Sequence, residues 1–75
     1  MRIIRCRPTP HYWNFHSDVR WELVLKTVMS PNKIRKSRVA NRYLYFKKFK
    51  KWYIRVDLEY KNGMAFVINA FKKPR

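Results

Sequence analysis

Gly63 is the only glycine in the chain, which excludes a glycine-rich loop cradling a phosphate. Cysteine is as scarce. Cys6 stands alone, so neither an intramolecular disulfide nor a four-cysteine zinc site can form. Only four carboxylates occur, Asp18, Glu22, Asp57 and Glu59. They are too few and too scattered along the sequence to suggest a two-metal nuclease site. No stretch approaches the ~18–20 apolar residues of a membrane span. The opening Met1-Arg2-Ile3-Ile4-Arg5-Cys6-Arg7-Pro8 has basic residues but no continuous apolar run. It does not read as a secretory signal, and the expected compartment is the cytoplasm. No serine triad or cofactor motif is legible, and no cofactor is expected.

What the chain has in excess is positive charge. Nineteen Lys and Arg against four acids give a formal net charge of +15 over 75 residues. That self-repulsion destabilises a compact state unless an anionic partner offsets it. Nine basic residues and no acid lie between Lys33 and Lys51: Lys33, Arg35, Lys36, Arg38, Arg42, Lys47, Lys48, Lys50 and Lys51. Such a block points to a polyanion, nucleic acid above all. A membrane surface would want a basic amphipathic helix with a clean apolar face. This block reads instead as loop followed by strand, so no membrane partner is expected. A domain this small buries only about 60% of its unfolded surface. Its core must therefore be dense, and 13 aromatic residues can supply that density.

The patterning predicts one small basic α+β domain over 1–75, with 1–10 as an extended arm and 72–75 as a basic tail. Its fold class is an N-terminal short strand and one or two helices, followed by a three- to four-stranded antiparallel sheet. Ile3 and Ile4 can pair or pack, while Pro8 and Pro10 stop regular structure. A helix is expected from Ser17, a good N-cap, with Asp18 in its first turn. Val19, Leu23, Val24, Thr27 and Val28 form its buried stripe. Asp18, Glu22 and Lys26 form an exposed ladder at i,i+4 spacing. Ser30-Pro31-Asn32 ends the helix, and a turn or short helical piece follows around 32–36. Arg42 to Phe49 alternates in part. Trp52, Ile54, Val56, Leu58 and Tyr60 alternate strictly with Tyr53, Arg55, Asp57, Glu59 and Lys61, as in a strand with one buried face. Asn62-Gly63 signals a two-residue hairpin turn. Met64 to Phe71 is apolar on both sides, which predicts a central strand with a helix on its second side.

His11 and His16 are the only histidines. Their spacing of five does not match a helical metal pair, so no metal is expected. A lone histidine is most often structural. Metal-free RNA cleavage nevertheless needs only a base for the 2′-hydroxyl, an acid for the leaving 5′-oxygen and cations for the charged intermediate. His16, His11, Tyr45 and Lys47 are the catalytic candidates. Arg35, Arg38, Arg42, Lys47, Lys48, Lys50, Lys51, Tyr43 and Asn69 are the candidates for binding nucleic acid. Phe46, Trp52 and Tyr53, interleaved with the basic run, are candidates for stacking on bases. Asn69, alone among apolar neighbours, must find hydrogen bonds if buried.

Four segments carry a resemblance. They are His11-Tyr12-Trp13-Asn14-Phe15-His16-Ser17-Asp18, Thr27-Val28-Met29-Ser30-Pro31-Asn32-Lys33-Ile34-Arg35, Tyr43-Leu44-Tyr45-Phe46-Lys47-Lys48 and Gly63-Met64-Ala65-Phe66-Val67-Ile68-Asn69-Ala70-Phe71. Their order over residues 11–71 resembles short phage and mobile-element proteins of the barnase–EndoU–colicin–RelE nuclease superfamily. The resemblance implies helices followed by an antiparallel sheet, and a toxin-like, metal-independent ribonuclease held by an acidic antitoxin-like protein. It also implies RNA in preference to DNA. The chain departs from that layout at Phe15, Asn69 and Phe71, where the family pattern has arginine, threonine and tyrosine. Two alternatives follow. One is a non-catalytic DNA- or RNA-binding protein that has lost the nuclease site. The other is a basic protein that binds an acidic protein partner.

Overall fold

A computed structural model describes residues 5–74. The elements are β1 (Cys6–Pro8), α1 (Pro10–Phe15), α2 (Trp21–Met29), β2 (Lys33–Lys36), β3 (Arg42–Lys48), β4 (Trp52–Lys61) and β5 (Met64–Pro74). The fold is α+β, with both helices preceding most of the sheet. The sheet has five strands in the order β1-β5-β4-β3-β2. Strands β2 to β5 form an antiparallel meander, and β1 adds in parallel beside β5. Ile3 and Ile4 lie outside the described residues, as does Arg75.

Both prolines expected to halt structure take part in it. Pro8 closes β1, opposite Val67. Pro10 opens α1 at a position where the missing N–H has no helical partner to lose. Thr9 caps that helix: its Oγ1 accepts from Tyr12 N at 3.3 Å and donates to the Val67 carbonyl at 2.8 Å. The expected helix start at Ser17 is displaced. Ser17 and Asp18 lie in the turn between the helices, and α2 begins only after Arg20. Val19 still enters the core, but from the turn. Asp18 is therefore outside the helical ladder, and Glu22 instead faces Arg20 at 3.5 Å. Both partners of that pair are exposed, so it adds little stability.

The core lies between the helices and one face of the sheet. Tyr12, Val19, Val24 and Val28 pack there against Tyr45, Ile54, Val56, Leu58, Ala65, Val67 and Ala70. Each fully buried aliphatic contributes about 1.5–3 kcal/mol. Thr27, also buried, satisfies its hydroxyl on the Leu23 carbonyl at 2.9 Å. The β4–β5 hairpin turns at Asn62 and Gly63 with φ of 51° and 75°, the left-handed pair that a two-residue turn requires. Residues 33–36, expected as a turn or helical piece, form the edge strand β2.

The largest difference from expectation concerns β5. Its pairing with β4 slips once: Asp57 faces Asn69, whereas Leu58 faces Val67. Ile68 is the extra residue of a β-bulge. The bulge lets Ala65, Val67 and Ala70 all face the core despite their uneven spacing. It also sends Asn69 and Phe71 to the opposite face. No second helical layer is needed there, because both helices pack on the same side. Phe66 and Phe71 stay half-buried on that face, Phe71 against His16 at the end of α1.

Candidate nucleic-acid interface

Cross-strand partners in a sheet point to the same side, so the strand register reads directly as a map of the open face. One row runs Lys33, Phe46, Arg55, Phe71 across four strands. The next runs Arg35, Leu44, Asp57, Asn69. Beyond the first row lie Lys48, Tyr53 and Lys73; beyond the second lie Arg42, Glu59, Phe66 and Arg7. Basic and aromatic side chains thus alternate along two of these four rows.

Both acids on this face have an arginine partner. Asp57, only 6% exposed, accepts from Arg55 Nε and Nη2 at 2.9 Å each and from Asn69 Nδ2 at 3.0 Å. Those hydrogen bonds raise the Arg55 pKa above its ordinary value, against the opposing effect of burial. Glu59 faces Arg42 Nε at 3.8 Å. Arg7, Lys33, Arg35, Lys48 and Lys73 are exposed and have no carboxylate partner among the described residues. The face therefore presents a surplus of positive charge.

One end of the first row is an aromatic cluster. The Arg55 guanidinium lies over the Phe71 ring, 4.8 Å from its centroid. The His16 ring meets the Phe71 edge at 5.0 Å, His11 lies 5.2 Å from His16, and Phe15 lies 4.9 Å from His11. Phe15 is 70% exposed. Strand β1 covers only the first part of β5, opposite residues 65–67. The end of α1 reaches Phe71, beyond that covered stretch. The opposite end of the face holds a cleft of about 320 Å³ between β2, β3 and β4.

The structure brings His11 and His16 together but separates them from the other catalytic candidates. Tyr45 is 4% exposed and faces the helices, where burial first, then neighbouring Tyr60 and Tyr43, raise its pKa. Lys47 is on the same side and donates to the Ser30 carbonyl at 2.6 Å. Both lie within the basic run of the sequence. Strand alternation turns them away. Of the binding candidates, Arg35, Arg42, Lys48 and Asn69 occupy the open face. Arg38 lies in the β2–β3 connection, and Lys50 and Lys51 lie in the β3–β4 turn. Tyr43 points to the helical side, packed against the core. Trp52 is on that side too, with Lys72 Nζ 4.3 Å from its ring centroid.

Arg7, Lys33, Arg55, Asp57, Phe66, Phe71 and Lys73 are site residues that the sequence reading left out of the candidate sets. The strict alternation of β4 already placed Arg55 and Asp57 on a polar face with Tyr53. Only the bulge places Phe71 beside them. Among the described residues no three His, Cys, Asp or Glu side chains gather as metal ligands would. No helix there is long and apolar enough to cross a membrane.

Cys6 is a free thiol whose burial pushes its pKa up to about 11. A thiol so rarely ionised is a poor nucleophile. Its alkylation by iodoacetamide at pH 8 is expected to be roughly a hundredfold slower in the folded protein than in urea. Equal rates would show an ordinary, accessible thiol.

Comparison with known proteins yields no match: no family model, no curated protein and no solved structure is significantly similar to the chain.

Proposed function

We propose that this protein binds RNA across the open face of its sheet. The observation that carries the reading is the pattern on that face. Five exposed cations without a carboxylate partner among the described residues, Arg7, Lys33, Arg35, Lys48 and Lys73, are interleaved with Phe46, Tyr53, Phe66 and Phe71. Cations track a phosphate backbone, and aromatic faces accept bases regardless of sequence. RNA is preferred to DNA on the resemblance to the nuclease superfamily. The reading assigns the protein to the cytoplasm, where a lone cysteine stays reduced. Binding of a labelled RNA, followed by anisotropy, tests it; a protein that left the RNA unbound at low salt would refute it.

The histidine pair favours a second reading, a metal-independent ribonuclease. One imidazole would take the proton of a 2′-hydroxyl as its oxygen attacks the adjacent phosphorus. The other would give a proton to the departing 5′-oxygen. Arg55, one strand over from Phe71, would meet the negative charge of the intermediate. The products are a 2′,3′-cyclic phosphate and a free 5′-hydroxyl. RNA incubated with the protein in EDTA is expected to be cut. His16→Ala should slow cutting by about a hundredfold while binding persists. RNA bound but left intact would leave a binding protein, consistent with the departures at Phe15, Asn69 and Phe71.

A further inference from the structure

The two ends of the open face differ in shape. The histidine end is a cluster of rings, whereas the far end holds a cleft. The cleft there has Phe46 and Tyr53 in its walls and Lys33, Arg35 and Lys48 around them. Phe46 pairs with Arg55 and Tyr53 with Lys48, so the two aromatics are diagonal neighbours on one face. Their Cβ atoms stand about 7 Å apart, within reach of both rings.

The wall is fixed by Asn32. Its N–H donates to the Phe46 carbonyl at 2.8 Å, and its Oδ1 accepts from Lys48 N at 2.6 Å. These bonds tie the approach to β2 onto β3 and hold the cleft open at its end. Its volume falls at the lower end of the ~300–1,000 Å³ typical of small-ligand pockets. A planar aromatic group fits such a space, and the surrounding cations favour negative charge beside it.

A duplex stacks its bases inside and offers its phosphates outside, so it could use only the cations around the cleft. An unpaired nucleotide could use both cations and rings. Building on the RNA-binding reading above, we propose that the cleft takes one unpaired nucleobase against Phe46 and Tyr53. The flanking phosphates lie on Lys33, Arg35 and Lys48, so that the protein selects single-stranded over duplex RNA.

The test compares three labelled probes at one ionic strength: a ten-nucleotide single strand, the same sequence in a blunt duplex, and an abasic strand with the same number of phosphates. The wild type is expected to bind the single strand about tenfold more tightly than either other probe. Phe46→Leu and Tyr53→Leu should each lose most of that preference, read as the ratio of single-strand to duplex binding for each folded variant. Equal binding of all three probes, or variants that keep the preference, would overturn the cleft assignment while RNA binding itself stood. Failure of the wild type to bind any probe would overturn the RNA-binding reading and this inference with it.

Discussion

Reversing the charge of Lys33 and Arg35 is expected to weaken RNA binding about a hundredfold, and adding Lys48→Glu should bring the loss to roughly a thousandfold. Each reversal removes one attraction to phosphate and introduces one repulsion, about 1.4 kcal/mol together, or a factor of ten. The fold should survive. All three side chains are exposed, and Lys33 and Arg35 belong to the edge strand. Exposed substitutions of this kind usually shift stability by no more than about 0.5 kcal/mol, and lowering the net charge relieves self-repulsion. Arg20→Glu with Lys26→Glu makes the same change in net charge as the first pair, but at the start and on the exposed side of α2. That control should lose less than tenfold. If both pairs of substitutions weakened binding equally, the attraction would belong to total charge and not to the open face.

Tyr12 is the residue on which α1 depends. Its side chain is completely buried, its hydroxyl donates to the Val19 carbonyl at 2.5 Å, and its ring meets Trp21 edge-on at 5.4 Å. One side chain therefore joins α1, the inter-helix turn and α2. Tyr12→Phe leaves a buried carbonyl without its donor and should lower stability by about 1–2 kcal/mol. Tyr12→Ala also opens a cavity and should lower it by about 3–5 kcal/mol. A domain of this size has only about 4–11 kcal/mol in total. With a urea slope of about 1 kcal/mol per molar, the alanine variant's midpoint should fall by about 3–5 M, or its folded baseline should vanish. Because α1 carries His11 and is capped by His16, loss of this anchor should also disperse the histidine cluster at Phe71. A midpoint within about 1 M of wild type would show that α1 docks by other means.

These expectations draw on features of unequal visibility in the sequence. The β4 alternation from Trp52 to Lys61 and the Asn62-Gly63 turn are strong local signals, and both appear in the fold. The apolar stripe of α2 was legible because burial imposes its own spacing. The start of α2 was not, since Ser17 and Asp18 suit a turn as well as a cap. Thr9-Pro10 is the true start of the first helix, but Pro8 and Pro10 read more readily as stops. Strand β2 escaped because Lys33-Ile34-Arg35-Lys36 is an exposed edge strand with no buried face to impose alternation. The site suffered most from the bulge. Regular alternation would put Asn69 in phase with Ala65 and Val67, in the core. One extra residue at 68 moves it to Asp57, and Phe71 to Arg55. A shift of that kind depends on pairing between strands and leaves no periodic trace in either one. The histidine pair was visible as residues, but its neighbours were not.

The most direct test of the central reading is the salt dependence of single-stranded RNA binding. Engagement of Arg7, Lys33, Arg35, Lys48 and Lys73 on the open face should neutralise about five phosphates. The logarithm of the association constant should then fall with the logarithm of salt concentration at a slope of about −3.5. That is roughly a hundredfold loss between about 50 and 200 mM. A slope near zero, or no measurable binding at the lowest salt, would contradict the assignment of the open face to RNA.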